Sequence, residues 1–71
     1  MRTIEIRSGE DTIRLGQLLK LADAVPTGAQ VKDLLLAGEV TVNGEPEERR
    51  GRQLHRGDVV AIAGQDDVRV G

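Results

Sequence analysis

The residues best suited to bind an anion lie close together, between Arg49 and Arg56. This segment reads Arg-Arg-Gly-Arg-Gln-Leu-His-Arg and contains no acidic residue. Each arginine is always charged and presents its donors in a planar fork that matches phosphate or carboxylate oxygens. In residues 1–48, by contrast, acidic side chains outnumber basic ones, so the formal net charge of −2 hides a separation of charge. This asymmetry predicts a face that binds a polyanion.

The same arginines also have a simpler explanation. Glu45, Glu47 and Glu48 directly precede them, and a run of mixed charge is commonly a solvated loop. Contact with a polyanion therefore requires the guanidinium groups of residues 49–56 to lie with Lys32 on one solvent-facing side of the fold. Scattering of these groups, or their pairing with the neighbouring glutamates, would argue against such contact.

The sequence offers no combination of residues that indicates catalysis or metal binding. His55 is the single histidine and cysteine is absent, which is a poor basis for a metal site. Asp66 and Asp67 follow Gly64 and are explained by a turn. No nucleophile–base pair or phosphate-cradling glycine loop is present. We therefore expect a protein that is not an enzyme and has neither metal nor cofactor.

The composition restricts both the core and the partners. The 71 residues include no Phe, Tyr or Trp, so the core must be aliphatic. Binding modes that stack bases on aromatic rings are excluded for the same reason. A chain of this length has room for one domain, which we place at residues 1–71. Without an apolar run of roughly 18 residues or a signal peptide, a soluble, cytoplasmic protein is expected.

Two short helices are predicted in the first half of the chain. The first has apolar residues at helical spacing, namely Leu15, Leu18, Leu19 and Ala22. Pro26 limits this helix, because the residue before a proline avoids the helical conformation. Thr27 and Gln30 fit a capping box that begins the second helix, whose apolar residues are Val31, Leu34 and Leu35. Gly38 stands where a left-handed residue ends a helix.

Strands are predicted on both sides of these helices. Thr3–Arg7 alternates polar and apolar residues, and a short strand is possible around Ile13. After Gly38, alternating residues lead to Asn43-Gly44, a dipeptide typical of a tight hairpin turn. Pro46 makes the returning strand an edge or irregular. Val59–Ala63 and Val68–Val70 complete an α+β domain, in which an αα corner packs on a small, mainly antiparallel sheet.

Several of these segments together resemble a known RNA-binding domain. They are Leu18-Leu19, Ala37-Gly38, Val40-Thr41-Val42-Asn43-Gly44 and Leu54-His55-Arg56-Gly57-Asp58-Val59-Val60. From residue 15 to residue 62, the core motif, the chain is similar to the domain of ribosomal small-subunit protein four, the S-four or alpha-L domain. The likeness is greatest to the small stand-alone bacterial members of that superfamily.

The resemblance implies a non-catalytic protein that recognises structured RNA, either rRNA or tRNA. Larger members place Ser-Arg at the start of the second helix, where this chain has Thr27-Gly28, so the hydroxyl is kept and the charge is lost. We expect other cations to compensate, with Arg14 beside them and the N-terminus of the second helix facing a phosphate. The expected RNA-binding residues are Lys20, Thr27, Gly28, Lys32, Asn43, Arg49, Arg50, Arg52, His55 and Arg56. Ribosomal or RNA-processing proteins are possible further partners of an expected monomer.

Two other functions remain open from the sequence. The scaffold could dock a protein or a ribosomal subunit during assembly, using the exposed edge of the hairpin. Alternatively, a strand followed by Val-Asn-Gly, Gly-Asp-Val-Val and a glycine-ended tail also occurs in ubiquitin-like sulfur carriers. That chemistry activates a terminal Gly-Gly, whereas Val70-Gly71 stands here.

Overall fold

A computed structural model of the protein describes residues 1–71, as two strands, two helices and five further strands. The elements are β1 (Arg2–Ile4), β2 (Thr12–Arg14), α1 (Leu15–Leu21), α2 (Gly28–Leu36), β3 (Val40–Val42), β4 (Glu45–Pro46), β5 (Gln53–His55), β6 (Val59–Ile62) and β7 (Val68–Val70). Neither helix is long and apolar enough to cross a membrane. This order and the predominance of antiparallel pairing confirm the predicted α+β class.

The first helix ends several residues before Pro26, at a backbone turn of its own. Asp23 adopts a left-handed conformation with φ of 57°. Its N–H donates to the carbonyl of Lys20 (3.1 Å), and the N–H of Ala24 donates to the carbonyl of Leu19 (3.0 Å). This pair of bonds satisfies the last carbonyls of the helix. The corner between α1 and α2 is therefore fixed by backbone geometry as well as by the proline.

The second helix begins and ends near the predicted residues, but its N-terminus differs from the prediction. Thr27 is extended and its side chain makes no capping hydrogen bond, so the predicted capping box was wrong. The N–H of Gln30 instead donates to the backbone carbonyl of Thr27 (3.2 Å). At the other end, Gly38 has φ of +73° and donates to the carbonyl of Leu35 (3.1 Å), as its type predicted.

The main sheet has five strands in the order β1-β7-β6-β3-β4. Its pairs are antiparallel except β1 with β7, which run parallel and join the two ends of the described chain. Asn43 and Gly44 have φ of 51° and 86°, which confirms the predicted hairpin turn between β3 and β4. Pro46 lies on the edge strand opposite Thr41, where its missing N–H costs no ladder bond.

A separate ribbon of two strands joins β2 to β5. Ile13 lies opposite Leu54 and both are buried, so one face of the ribbon belongs to the core. Because side chains alternate along a strand, the neighbours of these two residues face outward. The strand at Gln53–His55 was not predicted, since only one apolar residue marks it.

A single aliphatic core joins the helices, the sheet and the ribbon. It is a cluster of 16 buried residues drawn from every element except β1 and β4. The largest fully buried side chains are Leu15, Leu18, Leu19, Leu35 and Leu54. With no aromatic ring available, the core is filled by leucine, valine and isoleucine side chains.

Truncation of a helix leucine tests this core. Leu18→Ala should lower the free energy of unfolding by about 2–5 kcal/mol, because the side chain is fully buried and leaves a cavity. Leu36→Ala is the matched control, since Leu36 is 61% exposed and its loss should cost about 0.5 kcal/mol or less. Urea unfolding measures both, and equal effects would contradict this description of the core.

Candidate nucleic-acid interface

A buried carboxylate organises the loop that carries the arginines. Glu47 is only 7% exposed, and it is the one charged side chain in the buried set. Its carboxylate accepts hydrogen bonds from the backbone N–H groups of Glu48 (3.0 Å) and Arg49 (3.1 Å). It also accepts from Arg49 Nε (3.1 Å) and from Arg52 Nη1 (3.0 Å). These bonds compensate for the cost of burying the charge.

The hydrogen bonds from Arg49 lower the pKa of Glu47 from 4.5 to about 2, the side-chain bond first and the backbone bond next. Burial opposes this shift, and the side-chain bond from Arg52 assists it. The same ion pair raises the pKa of Arg49. A carboxylate with these partners stays ionised through the ordinary pH range. The turn at residues 47–49 is therefore a charged structural unit.

The predicted basic segment does not form one surface. Arg49 and Arg52 both pair with Glu47, which is the pairing with a neighbouring glutamate that would argue against RNA contact. The Arg49 side chain nevertheless keeps 77% of its surface exposed, whereas Arg52 keeps 29%. Arg56 lies elsewhere, where it donates to the carbonyl of Glu10 (3.2 Å). The prediction of a single face for residues 49–56 with Lys32 was therefore wrong.

Asn43 and His55 are tied to Asp58 at the opposite end of the ribbon. The Asn43 amide donates to the carboxylate of Asp58 (3.1 Å) and accepts from the N–H of Val59 (2.9 Å). The backbone N–H of His55 donates to the same carboxylate (2.8 Å), and this bond is the main reason that the pKa of Asp58 is lowered. Asn43 thus has a structural role in its turn, and the His55 ring remains exposed.

The segment after Glu47 is pressed against the first turn of α1. The N–H groups of Leu15 and Gly16 donate to the carbonyls of Arg52 and Arg50, each at 2.9 Å. A Cβ on Gly16 would lie 3.3 Å from the Arg50 carbonyl oxygen, so the glycine permits this close approach. The loop caps the helix in place of a side chain, and its position fixes the Arg50 backbone.

The side chains of Arg50 and Lys20 both approach the N-terminus of α2. A Cβ built on Gly28 would lie 3.9 Å from Arg50 Nη2 and 3.9 Å from Lys20 Cδ. No acidic residue occurs in the first turn of α2, and neither cation takes part in an ion pair. The partial positive charge of a helix N-terminus adds to theirs. We name these three residues, Lys20, Gly28 and Arg50, the anion cleft.

A groove runs from the anion cleft along the exposed side of α1. Its lining comprises Arg14, Gly16, Gln17, Lys20, Arg50 and Gly51. Arg14 therefore adds a third cation, as the sequence suggested. Lys32 is exposed one helical turn beyond Gly28, and Thr27 is exposed beside it. The structure thus brings Lys20, Gly28 and Arg50 together, with Arg14 along the groove.

Sequence reasoning missed the residues that shape this groove. Gly16 interrupts the leucines of α1, and an isolated glycine in a helical pattern often marks a close approach of backbone. That signal was available and indicates where the loop packs. Gln17 carried no comparable signal, because an exposed glutamine on a helix is unremarkable by itself.

Comparison with known proteins confirms the family resemblance found in the sequence. The family model described as the S4 domain matches residues 4–71, which extends beyond the motif recognised at residues 15–62. The chain belongs to the S4-domain family. A curated relative from Bacillus subtilis (strain 168), named "Probable ribosome maturation protein RlbA", is 54% identical over 54 residues. The aligned part covers 76% of this S4-domain chain and 76% of the relative.

The pH dependence of stability tests the role of Glu47. Because its pKa is about 2 in the folded protein and 4.5 ordinarily, its contribution is complete above about pH 4.5 and is lost as the pH falls toward 2. Glu47→Gln should remove that part of the acid sensitivity and cost about 1–3 kcal/mol at neutral pH. Urea unfolding between neutral and acidic pH measures both effects.

Glu48→Gln is the matched control for this experiment, because Glu48 is exposed and its side chain accepts no hydrogen bond. It should retain the acid sensitivity and the stability of the parent protein. An equal loss in the two variants would contradict a special role for the Glu47 carboxylate.

Proposed function

We propose that this S4 domain is a non-catalytic module that binds folded RNA by holding a backbone phosphate in the anion cleft. The observation that carries the proposal is the convergence of Lys20 and Arg50 on the first turn of α2, with no carboxylate paired to either. Free cations beside helix N–H groups are a suitable site for a phosphate. Arg14 and Lys32 extend the positive surface on two sides.

The composition favours recognition of RNA shape. Without aromatic side chains the protein has no platform for stacking unpaired bases. Phosphate and 2′-hydroxyl contacts to a helical or folded RNA remain available. Gly28 stands where larger members of the family have an arginine. In this proposal Arg50 supplies the missing positive charge, because its guanidinium group lies beside the position that a side chain at residue 28 would occupy.

The relative suggests which RNA is involved. It is named a probable ribosome maturation protein, and it is 54% identical to this chain over the aligned residues. We extend that role here and propose ribosomal RNA as the ligand, with the protein acting in the cytoplasm during ribosome maturation. Transfer RNA is the competing ligand, and comparison of the two RNAs in one binding assay distinguishes them.

The two alternatives from the sequence have weaker support. Docking of a protein strand on the hairpin edge would use β4, which has only the residues Glu45–Pro46 and offers little backbone to pair with. For a sulfur carrier, Gly71 would have to be free to react. Its N–H instead donates to the carbonyl of Ile4 (2.8 Å) and its carbonyl accepts from Ile6 (3.1 Å).

The salt dependence of RNA binding tests the anion cleft. Arg50→Ala should weaken binding roughly ten-fold and reduce the slope of log affinity against log salt by about 0.7–0.9, the share of one phosphate contact. Arg69→Ala is the matched control, because this arginine is exposed on β7, forms no ion pair and lies outside the groove. Filter binding of purified rRNA and tRNA at several KCl concentrations measures the slope. Equal slopes for Arg50→Ala and the parent would contradict the proposal.

A relocated arginine provides a second test. In the Arg50→Ala background, Gly28→Arg should restore most of the lost affinity and the lost salt slope, since a Cβ at residue 28 meets only ordinary contacts. Ala29→Arg in the same background is the control. It adds the same charge at the next exposed position and should restore less. Equal recovery by both arginines would indicate that only net charge matters.

A further inference from the structure

The groove beside α1 continues past the anion cleft onto the outer face of the ribbon. A second depression adjoins the first and shares Arg14 and Gln17 with it. Its other polar lining residues include Thr12 and Gln53, with Glu10 and Asp11 at the far end. One continuous surface therefore leads from Arg50 to the ribbon, and at its far end carboxylates join the cations.

The register of the ribbon determines which side chains reach this surface. Arg14 lies directly opposite Gln53, and Thr12 lies opposite His55. Side chains opposite each other in an antiparallel pair have Cβ atoms roughly 4.5–5.5 Å apart. The intervening pair, Ile13 and Leu54, is buried. The outer face of the ribbon is therefore entirely polar.

Two amides on this surface have no partner within the protein. Gln17 and Gln53 are both exposed, and neither side chain takes part in any intramolecular hydrogen bond. A carboxamide both donates and accepts, as a ribose 2′-hydroxyl also does. A phosphate only accepts, and the carboxylates of Glu10 and Asp11 would repel it from this end. Uncharged groups of a nucleotide suit these amides best.

We propose that Gln17 and Gln53 bind ribose 2′-hydroxyl groups of the RNA strand whose phosphate occupies the anion cleft. This inference rests on the proposed function and adds the discrimination of RNA from other polyanions. Lys20 and Arg50 supply attraction that depends on salt. The two amides supply hydrogen bonds that depend on the sugar and are nearly independent of salt.

The test compares two synthetic stem-loops of identical mixed sequence, one of RNA and one with fluorine in place of every 2′-hydroxyl. The fluorinated sugar keeps the A-form pucker but cannot donate a hydrogen bond. The parent protein should bind the RNA roughly ten-fold more tightly, the effect of two hydrogen bonds of ordinary strength. Gln17→Ala combined with Gln53→Ala should abolish this preference and leave the salt slope unchanged.

Two control variants separate this proposal from the previous one. Arg50→Ala should lower the salt slope and keep the preference for RNA, whereas Gln65→Ala, an exposed glutamine outside the groove, should change neither. Equal binding of both stem-loops by the parent would overturn the 2′-hydroxyl assignment alone. So would an equal loss of affinity for both stem-loops in the double variant. Failure of the parent to bind either one would overturn the proposed function as well.

Discussion

The carboxylate of Glu47 is the group on which the candidate interface depends. It is buried in a loop that has almost no regular structure, and its bonds to residues 48, 49 and 52 hold that loop together. No side chain caps the N-terminus of α1. The loop offers the carbonyls of Arg50 and Arg52 to the first N–H groups of the helix. The ionised carboxylate of Glu47 thus determines where Arg50 lies.

This arrangement explains how an acidic protein can present a small positively charged surface. The formal charge of −2 is a sum over the whole chain and says little about any one surface. Arg49 and Arg52 form ion pairs with the buried Glu47, and Arg56 lies near Asp11. Arg50 forms no ion pair. Together with Lys20 it creates a small positive region where the helix terminus adds its own partial charge.

The ribbon gives the same region a second kind of chemistry. Its inner face contributes Ile13 and Leu54 to the core, so its position relative to the helices is fixed by packing. Its outer face is polar and continues the groove beside α1. A rigid element that is anchored on one side and polar on the other is suited to present hydrogen-bonding groups at defined positions. The charged side chains and the uncharged hydrogen-bonding side chains are thus different residues that lie next to each other along the groove.

The helices and the Asn43-Gly44 hairpin were predictable from residue types, because each depends on residues a few positions apart. The family was recognisable from several such segments taken together. The sequence also identified Lys20, Gly28 and Arg50 among the candidates. It did not determine which arginines were free, since Arg49, Arg50 and Arg52 are equivalent in type and nearly adjacent in the chain.

Which arginines are free follows from their positions in the folded chain. Glu47 selects two of those arginines through distances of about 3 Å, and Arg50 is left to face a helix from another part of the chain. The pairing of β2 with β5 could not be predicted for a related reason, because short strands far apart in sequence carry no local signal that they pair. Ion pairs and strand pairs depend on separation in space, and a linear pattern does not contain it.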